Sequence, residues 1–282
     1  MTTPPDFRWK LDIDPAYSWF QDFVDHWHSP DISFLSDYED ARPTVYWFSS
    51  RHLSELDDPV EVRDRAFALK SILDGAFYLN SNPAGDGLFR PFPLHDLWSV
   101  DAQSRVSLPY DSPSSGPNLL VEPFSSNCSE WVDNWQSYGN PFKRFESAML
   151  WMARVDSTAR GMLQFLGTNG PNWITLYGLL DFMVGAKMSK DDLAKLGKTT
   201  KEELKRFTGT ANNHAAIGPF ARHGELGWDV PKKPMLLKEA QVLMFAIARA
   251  FLLERVNTLG LPGQYAIRQS LHLAAPMSSD DE

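Results

Sequence analysis

The sequence predicts an α+β protein, with a small N-terminal α/β unit built on a short, mostly antiparallel sheet and a C-terminal helical bundle. Three observations carry this. Aromatic and β-branched runs separated by turn residues occupy positions 1–110. The stretch 111–118, Asp-Ser-Pro-Ser-Ser-Gly-Pro-Asn, is the strongest linker in the chain. From Asn140 onward apolar residues recur at helical spacing. The expected division is an acidic α/β domain over 1–110, a linker and irregular segment over 111–140, a helical bundle over 141–260 and a tail over 261–282.

Asp14-Pro15 reads as N-cap and first helical position, placing Phe20, Phe23, Val24 and Trp27 on one face of a helix that ends near Ser29-Pro30. Thr44 to Phe48 reads as a strand. A helix follows from Asp58-Pro59, with Val62, Ala66, Leu69 and Leu73 in phase and Gly75 as its stop. Ala76 to Leu79 reads as a second strand, and Leu97–Val100 with Arg105–Leu108 as a hairpin around Asp101–Ser104. Leu119 to Phe124 offers one more strand. Asn140-Pro141 then launches a long amphipathic helix carrying Phe145, Met149, Met152, Ala159, Leu163 and Leu166.

Asn172 caps a further helix with Trp173, Leu176, Tyr177, Leu180 and Val184 inward. Ser189 with Asp192 and Thr200 with Glu203 are capping-box patterns that open two more. Met235 to Val256, with Leu236, Ala240, Leu243, Met244, Ile247, Ala250 and Phe251, is the most apolar helix and the expected spine of the bundle.

Composition bounds the function. With 43% hydrophobic and 22% charged residues the chain has ordinary globular usage, and its 282 residues suffice for an adequate core. Ten Trp, 18 Phe and 8 Tyr make it aromatic-rich, which points first to core and interface packing and second to a stacking platform for bases or sugars. Residues 1–140 carry 22 acidic and 9 basic side chains, net −13, whereas residues 141–282 carry 14 and 18, net +4. That asymmetry suits either mutual neutralisation within one fold or a basic half that meets RNA or another anionic partner. The single Cys128 excludes an internal disulfide and fits a reducing compartment. With no signal peptide and no apolar run of membrane-spanning length, a cytoplasmic protein without membrane contact is expected.

No Gly-rich phosphate loop, Gly-x-Ser-x-Gly elbow or His-Glu-x-x-His pair is present, and Asn82 to Gly87 lacks the spacing and the Lys of a nucleotide cradle. His26 and His28, two positions apart on a helix, point to different sides, and no metal or other cofactor is expected. Asp57-Asp58 and Asp191-Asp192 sit at helix starts, where the dipole accounts for them. Chemistry-bearing side chains concentrate instead between Arg206 and His223, at the end of one helix and in the loop before the spine.

In that stretch His214, His223 and Arg222 are the candidate catalytic residues, and Arg206, Asn212 and Asn213 the candidate binding residues. Histidine suits acid–base work near neutral pH and arginine a fixed clamp on phosphate, so the set is sufficient for metal-independent cleavage of RNA. The competing expectation is architectural. Asn212-Asn213 would form a helix C-cap with one left-handed residue, His214 would bond a carbonyl, and Arg222 would pair with the acidic lobe.

The order of segments resembles an uncharacterised bacterial protein family from about residue 44 to about residue 255. The words carrying it include Trp173-Ile174-Thr175-Leu176-Tyr177, Arg206-Phe207-Thr208-Gly209-Thr210-Ala211-Asn212 and Ala221-Arg222-His223-Gly224. That resemblance implies no particular activity. The helical half also resembles HEPN-type bundles, families of which are RNases of phage defence and toxin systems. Their site is an Arg, a polar residue and, a few positions on, a His. Arg222-His223 matches the first two, but Gly224 to Pro231 holds no further His, and the interval from Arg206 to His214 is too long.

Two functions are therefore expected. The first is a binding or sensor module of a bacterial cytoplasmic system, such as phage defence, that recognises a macromolecular partner. The alternative is a HEPN-like ribonuclease working across a helical homodimer.

Overall fold

A computed structural model describes residues 7–14, 20–27, 29–37, 44–85, 88–106, 117–126, 144–224 and 230–258. The α+β class holds: a five-stranded antiparallel sheet comes first and helices follow. The chain divides into two units. One comprises the described residues within 1–70 and 91–151, the other those within 71–90 and 152–258. Cys128, His28, the linker 111–116, Asn140-Pro141 and the tail from 259 lie outside the described residues.

The first unit is built on β1 (Trp9–Ile13), β2 (Ser33–Asp37), β3 (Val45–Ser49), β4 (Leu94–Ser99) and β5 (Ser104–Val106), in the order β2-β3-β1-β4-β5. Register aligns Phe34, Phe48, Leu11, Leu97 and Val106 in one row across all five strands. Because side chains alternate faces along a strand, that row defines the inner face. Helix α1 (Phe20–Asp25) contributes Phe20 and Phe23, which meet Phe34 edge-on at centroid distances of 6.0 and 5.0 Å. Trp27 joins them 5.2 Å from Phe34 and donates its indole N–H to the Ile32 carbonyl at 2.7 Å. Aromatic excess is thus spent here on packing.

A polar cluster is buried in the same unit, just past β3. His52 and Asp31 have fully buried side chains, joined Nε2 to Oδ1 at 2.9 Å. His52 Nδ1 accepts the Ser125 backbone N–H at 3.0 Å. An acceptor at Nδ1 requires the ring proton to sit on Nε2, so His52 is a neutral imidazole donating to the Asp31 carboxylate. Asp31 further accepts, through its carbonyl, the Ser50 hydroxyl, and Arg65 caps the His52 carbonyl at 2.8 Å while pairing with Glu55. Glu55 in turn accepts the Ser125 hydroxyl.

Helix α2 (Pro59–Asn80) corrects two expectations at once. Gly75 does not stop it, and Ala76 to Leu79 is not a strand but its last turns, buried from Ala76 to Leu79. Phe77 and Tyr78 favour strand locally, yet burial of the helix outweighs that preference. Leu119 to Phe124 is likewise turn rather than strand. Asn118 Oδ1 accepts the Leu120 N–H at 3.0 Å, which closes a local turn and leaves Leu120 96% exposed.

Every regular element described from Phe145 onward is helical: α3 (Phe145–Val155), α4 (Ser157–Asn169), α5 (Trp173–Gly185), α6 (Lys190–Leu196), α7 (Lys201–Ala211), α8 (His214–Ile217) and α9 (Leu237–Thr258). The single long helix expected after Asn140-Pro141 is two. Asp156 takes extended backbone angles and caps α4 by accepting the Ala159 N–H at 3.0 Å, and its other oxygen holds Arg255. The break is therefore a capping event that leaves the apolar phase intact.

Helices α4 and α5 pack through a reciprocal exchange: Phe165 lies over Gly178 and Phe182 over Gly161, each where a Cβ would meet the ring within 3.0 Å. The N-caps expected at Asn172, Ser189 and Thr200 are all present, with a full capping box at Thr200 and Glu203. At Ser189 the shorter Asp192 carboxylate accepts the serine hydroxyl. Val184, expected inward, is 41% exposed, and Leu236 precedes the spine helix rather than packing beneath it. Among the described residues no helix is long and apolar enough to cross a membrane.

Candidate functional site

The stretch Arg206–His223 lies entirely in the second unit, and its local folding follows from three caps. Asn212 ends α7 with φ −90° and ψ −6°, so neither it nor Asn213 adopts the left-handed conformation expected of the cap. Asn213 is buried and accepts the Ala216 N–H at 3.1 Å, starting the single turn α8. Gly218, at φ +63°, then reverses the chain, a backbone state available to glycine at little cost. The Arg222 N–H finally returns to the Ala211 carbonyl at 2.9 Å. Residues 212–221 are consequently a closed surface loop tied at its neck.

Two of the six predicted residues meet on one face. The Arg222 guanidinium stacks over Tyr177 of α5, 4.3 Å from the ring centroid, and pairs with Asp181 one turn further on at 3.2 Å. Asn212 approaches the Tyr177 hydroxyl at 3.4 Å, a long contact. On its other side the Tyr177 ring stacks on Phe207, itself stacked on Trp173. Arg222 therefore pairs with a carboxylate of its own unit and not with the acidic N-terminal part as expected. Phe220, two residues earlier, is 59% exposed.

Arg206 is directed elsewhere. It donates to the Lys233 and Pro234 carbonyls at 2.9 and 3.0 Å and to Glu239 at 2.7 Å, while Thr210, on the same face of α7, accepts the Met235 N–H. Together they lash the approach to α9 onto α7. Arg206 and Glu239 also border an open depression of about 500 Å³ whose floor includes Met235, Leu243 and Ala246. His214 and His223 are half-buried at opposite ends of the closed loop. Among the described residues no group of His, Cys, Asp and Glu is placed to hold a metal ion.

Glu239 is held below the usual carboxylate range, first by the Leu236 N–H and then by Arg206. A lowered carboxylate contributes stability above its unfolded value, about 4.3, and loses it as pH falls through the folded value. Glu239→Gln is therefore expected to flatten the acid limb of stability between about pH 5 and pH 3, by less than about 1 kcal/mol because the pair is exposed. Urea midpoints at pH 7 and pH 3 measure this, and an unchanged acid limb would contradict it.

Sequence reasoning reached Tyr177 as a buried helix residue but not Asp181 as the partner of Arg222. The available signal was one carboxylate four residues from Tyr177 on an otherwise apolar helix. Comparison with family models, curated proteins and solved structures found no match.

Proposed function

We propose that this chain is a binding module that recognises a macromolecular partner through the face formed by Tyr177, Asp181, Asn212, Phe220 and Arg222. The observation that carries the reading is Phe220, an exposed ring on a tied loop, two residues before an arginine already fixed in place. Aromatic and arginine side chains dominate binding energy at protein interfaces, and ordering them before binding removes an entropic cost of association.

The same geometry weighs against the ribonuclease reading. A phosphate clamp needs an uncompensated cation, and Asp181 already compensates Arg222. Asn213 spends its carbonyl on a cap. A protein partner is accordingly favoured over RNA.

A photo-cross-linking amino acid at Phe220 tests the proposal in the cells that make the protein. A discrete adduct that Arg222→Ala weakens at least tenfold is expected. The reading is withdrawn if no adduct forms, if one forms equally from exposed Leu120, or if the protein in EDTA cleaves labelled single-stranded RNA and His214→Ala or His223→Ala abolishes the cleavage.

A further inference from the structure

The outer face of the sheet carries its own set of side chains. Register places Leu35, Trp47 and Asp12 side by side on β2, β3 and β1, and Lys10, Trp98 and Arg105 side by side on β1, β4 and β5. Both indoles are partly exposed, in contrast to Phe34, Phe48, Leu11 and Leu97 of the inner row. The two lie on strands flanking β1 and two residues out of step, so their Cα atoms are about 12 Å apart from strand spacing and rise.

Two polar atoms of this set of residues lack hydrogen-bond partners. The Trp98 indole N–H and Asp12 Oδ1 are both buried and make no hydrogen bond. One is an obligatory donor and the other an acceptor, and buried groups of this kind are ordinarily satisfied. The register of β1 against β4 shifts between Leu11 and Ile13, so that two β4 residues, His95 and Asp96, lie opposite Asp12. Lys10 covers Trp47 at 5.0 Å and Arg105 covers Trp98 at 5.2 Å, with Arg105 60% exposed and so displaceable by a ligand.

Charge identifies the class of occupant. Arg105 is compensated by Asp12 at 3.3 Å and Asp96 at 2.8 Å. With Lys10 and the exposed Asp37 of β2 the face holds two cations and three carboxylates, within a segment, residues 1–140, of net charge −13. A polyanion such as nucleic acid is repelled by that segment and finds no free cation row. A sugar hydroxyl, by contrast, can accept from an indole N–H and donate to a carboxylate at once, and the C–H face of a pyranose ring packs on an indole.

We propose that the outer sheet face binds an uncharged glycan chain, with Trp47 and Trp98 stacking two of its sugar rings and the Trp98 N–H and Asp12 Oδ1 holding a hydroxyl between them. This site lies in the first unit and stands independently of the loop face on the second.

Native electrophoresis of the full chain in gels containing hydroxyethylcellulose, xylan, glucomannan or dextran tests it. Retardation by at least one polymer is expected, weakened at least tenfold by Trp47→Ala and by Trp98→Ala and unaffected by Leu120→Ala. Circular dichroism checks that each variant folds. Should an indole variant unfold, Asp12→Ala takes its place, with the same tenfold loss expected. Migration unchanged by all four polymers, or retardation that survives these substitutions, overturns the proposal. Binding of an oligothymidylate that Trp47→Ala abolishes would overturn it in favour of a nucleic-acid platform.

Discussion

His52→Ala is expected to destabilise the first unit by about 3 kcal/mol, the upper end of the range for taking the partner from a buried hydrogen-bonding group. The imidazole donates to the Asp31 carboxylate and accepts the Ser125 N–H from a site without solvent access. Removing it takes one hydrogen-bond partner from a buried carboxylate and one from a backbone donor, and leaves a cavity beside Phe124, whose ring meets His52 edge-on at 5.3 Å. Asp31→Ala is expected to cost less, because the ring it leaves is neutral. The double change Asp31→Leu with His52→Leu is expected to recover part of the loss, since apolar replacement of a whole buried pair is often close to neutral. Amide exchange of β1 and β3 under increasing denaturant reads the first unit separately from the second. A loss below about 1 kcal/mol for His52→Ala would show that the pair contributes little beyond filling space.

That network also shows where sequence reading stops. Asp31, His52 and Ser125 are separated by 21 and 73 positions, and no local pattern links them. Capping, in contrast, is a local interaction, and the caps at Asn172, Ser189 and Thr200 are legible from residue type and three-residue spacing alone. The hairpin of β4 and β5 is legible for the same reason, whereas the alternation Trp-Lys-Leu-Asp-Ile of β1 is a strand signal that sequence reading passed over. Where local preference and tertiary packing conflict, as at Phe77 and Tyr78, packing decides and the local reading fails. Asp156 is an intermediate case: its cap is local, but an uninterrupted apolar phase hides the break.

The candidate site divides along the same line. The closed loop from Asn212 to Arg222 follows from Asn caps and a glycine reversal, all close in sequence. The placing of Arg222 depends on Tyr177 and Asp181, more than thirty residues upstream and on another helix. Composition indicated which groups gather there. It could not indicate that Arg206 would face the approach to α9 while Arg222 faces α5, because that separation arises from the turn of α7 and the path of the loop.

Gly167→Ala offers the sharpest test of how the helical unit is packed, because two physical effects predict opposite signs. On an isolated helix the substitution stabilises by about 1 kcal/mol, since glycine is the poorer helix former. In this structure a Cβ at Gly167 would lie 1.8 Å from the Ser71 carbonyl oxygen and 2.7 Å from the Gly75 nitrogen. A Cβ at Gly75 would lie 2.0 Å from the Leu163 carbonyl oxygen. Ser71 and Gly75 on α2 thus meet Leu163 and Gly167 on α4 backbone to backbone, with no flexible side chain to move aside. The helices must separate, opening gaps along the contact. Overpacking of this kind costs about 1–3 kcal/mol or more, so a net loss of at least about 2 kcal/mol is expected for Gly167→Ala and for Gly75→Ala. Gly185→Ala is the matched control: a Cβ there meets nothing within 4 Å, and the variant is expected to be neutral or slightly more stable. Thermal or urea unfolding of the three variants separates the effects. If Gly167→Ala proves as stable as Gly185→Ala, the close approach of α2 and α4 is not a feature of the folded chain, and the glycine at position 75 reverts to the helix-stop role that its sequence context suggests.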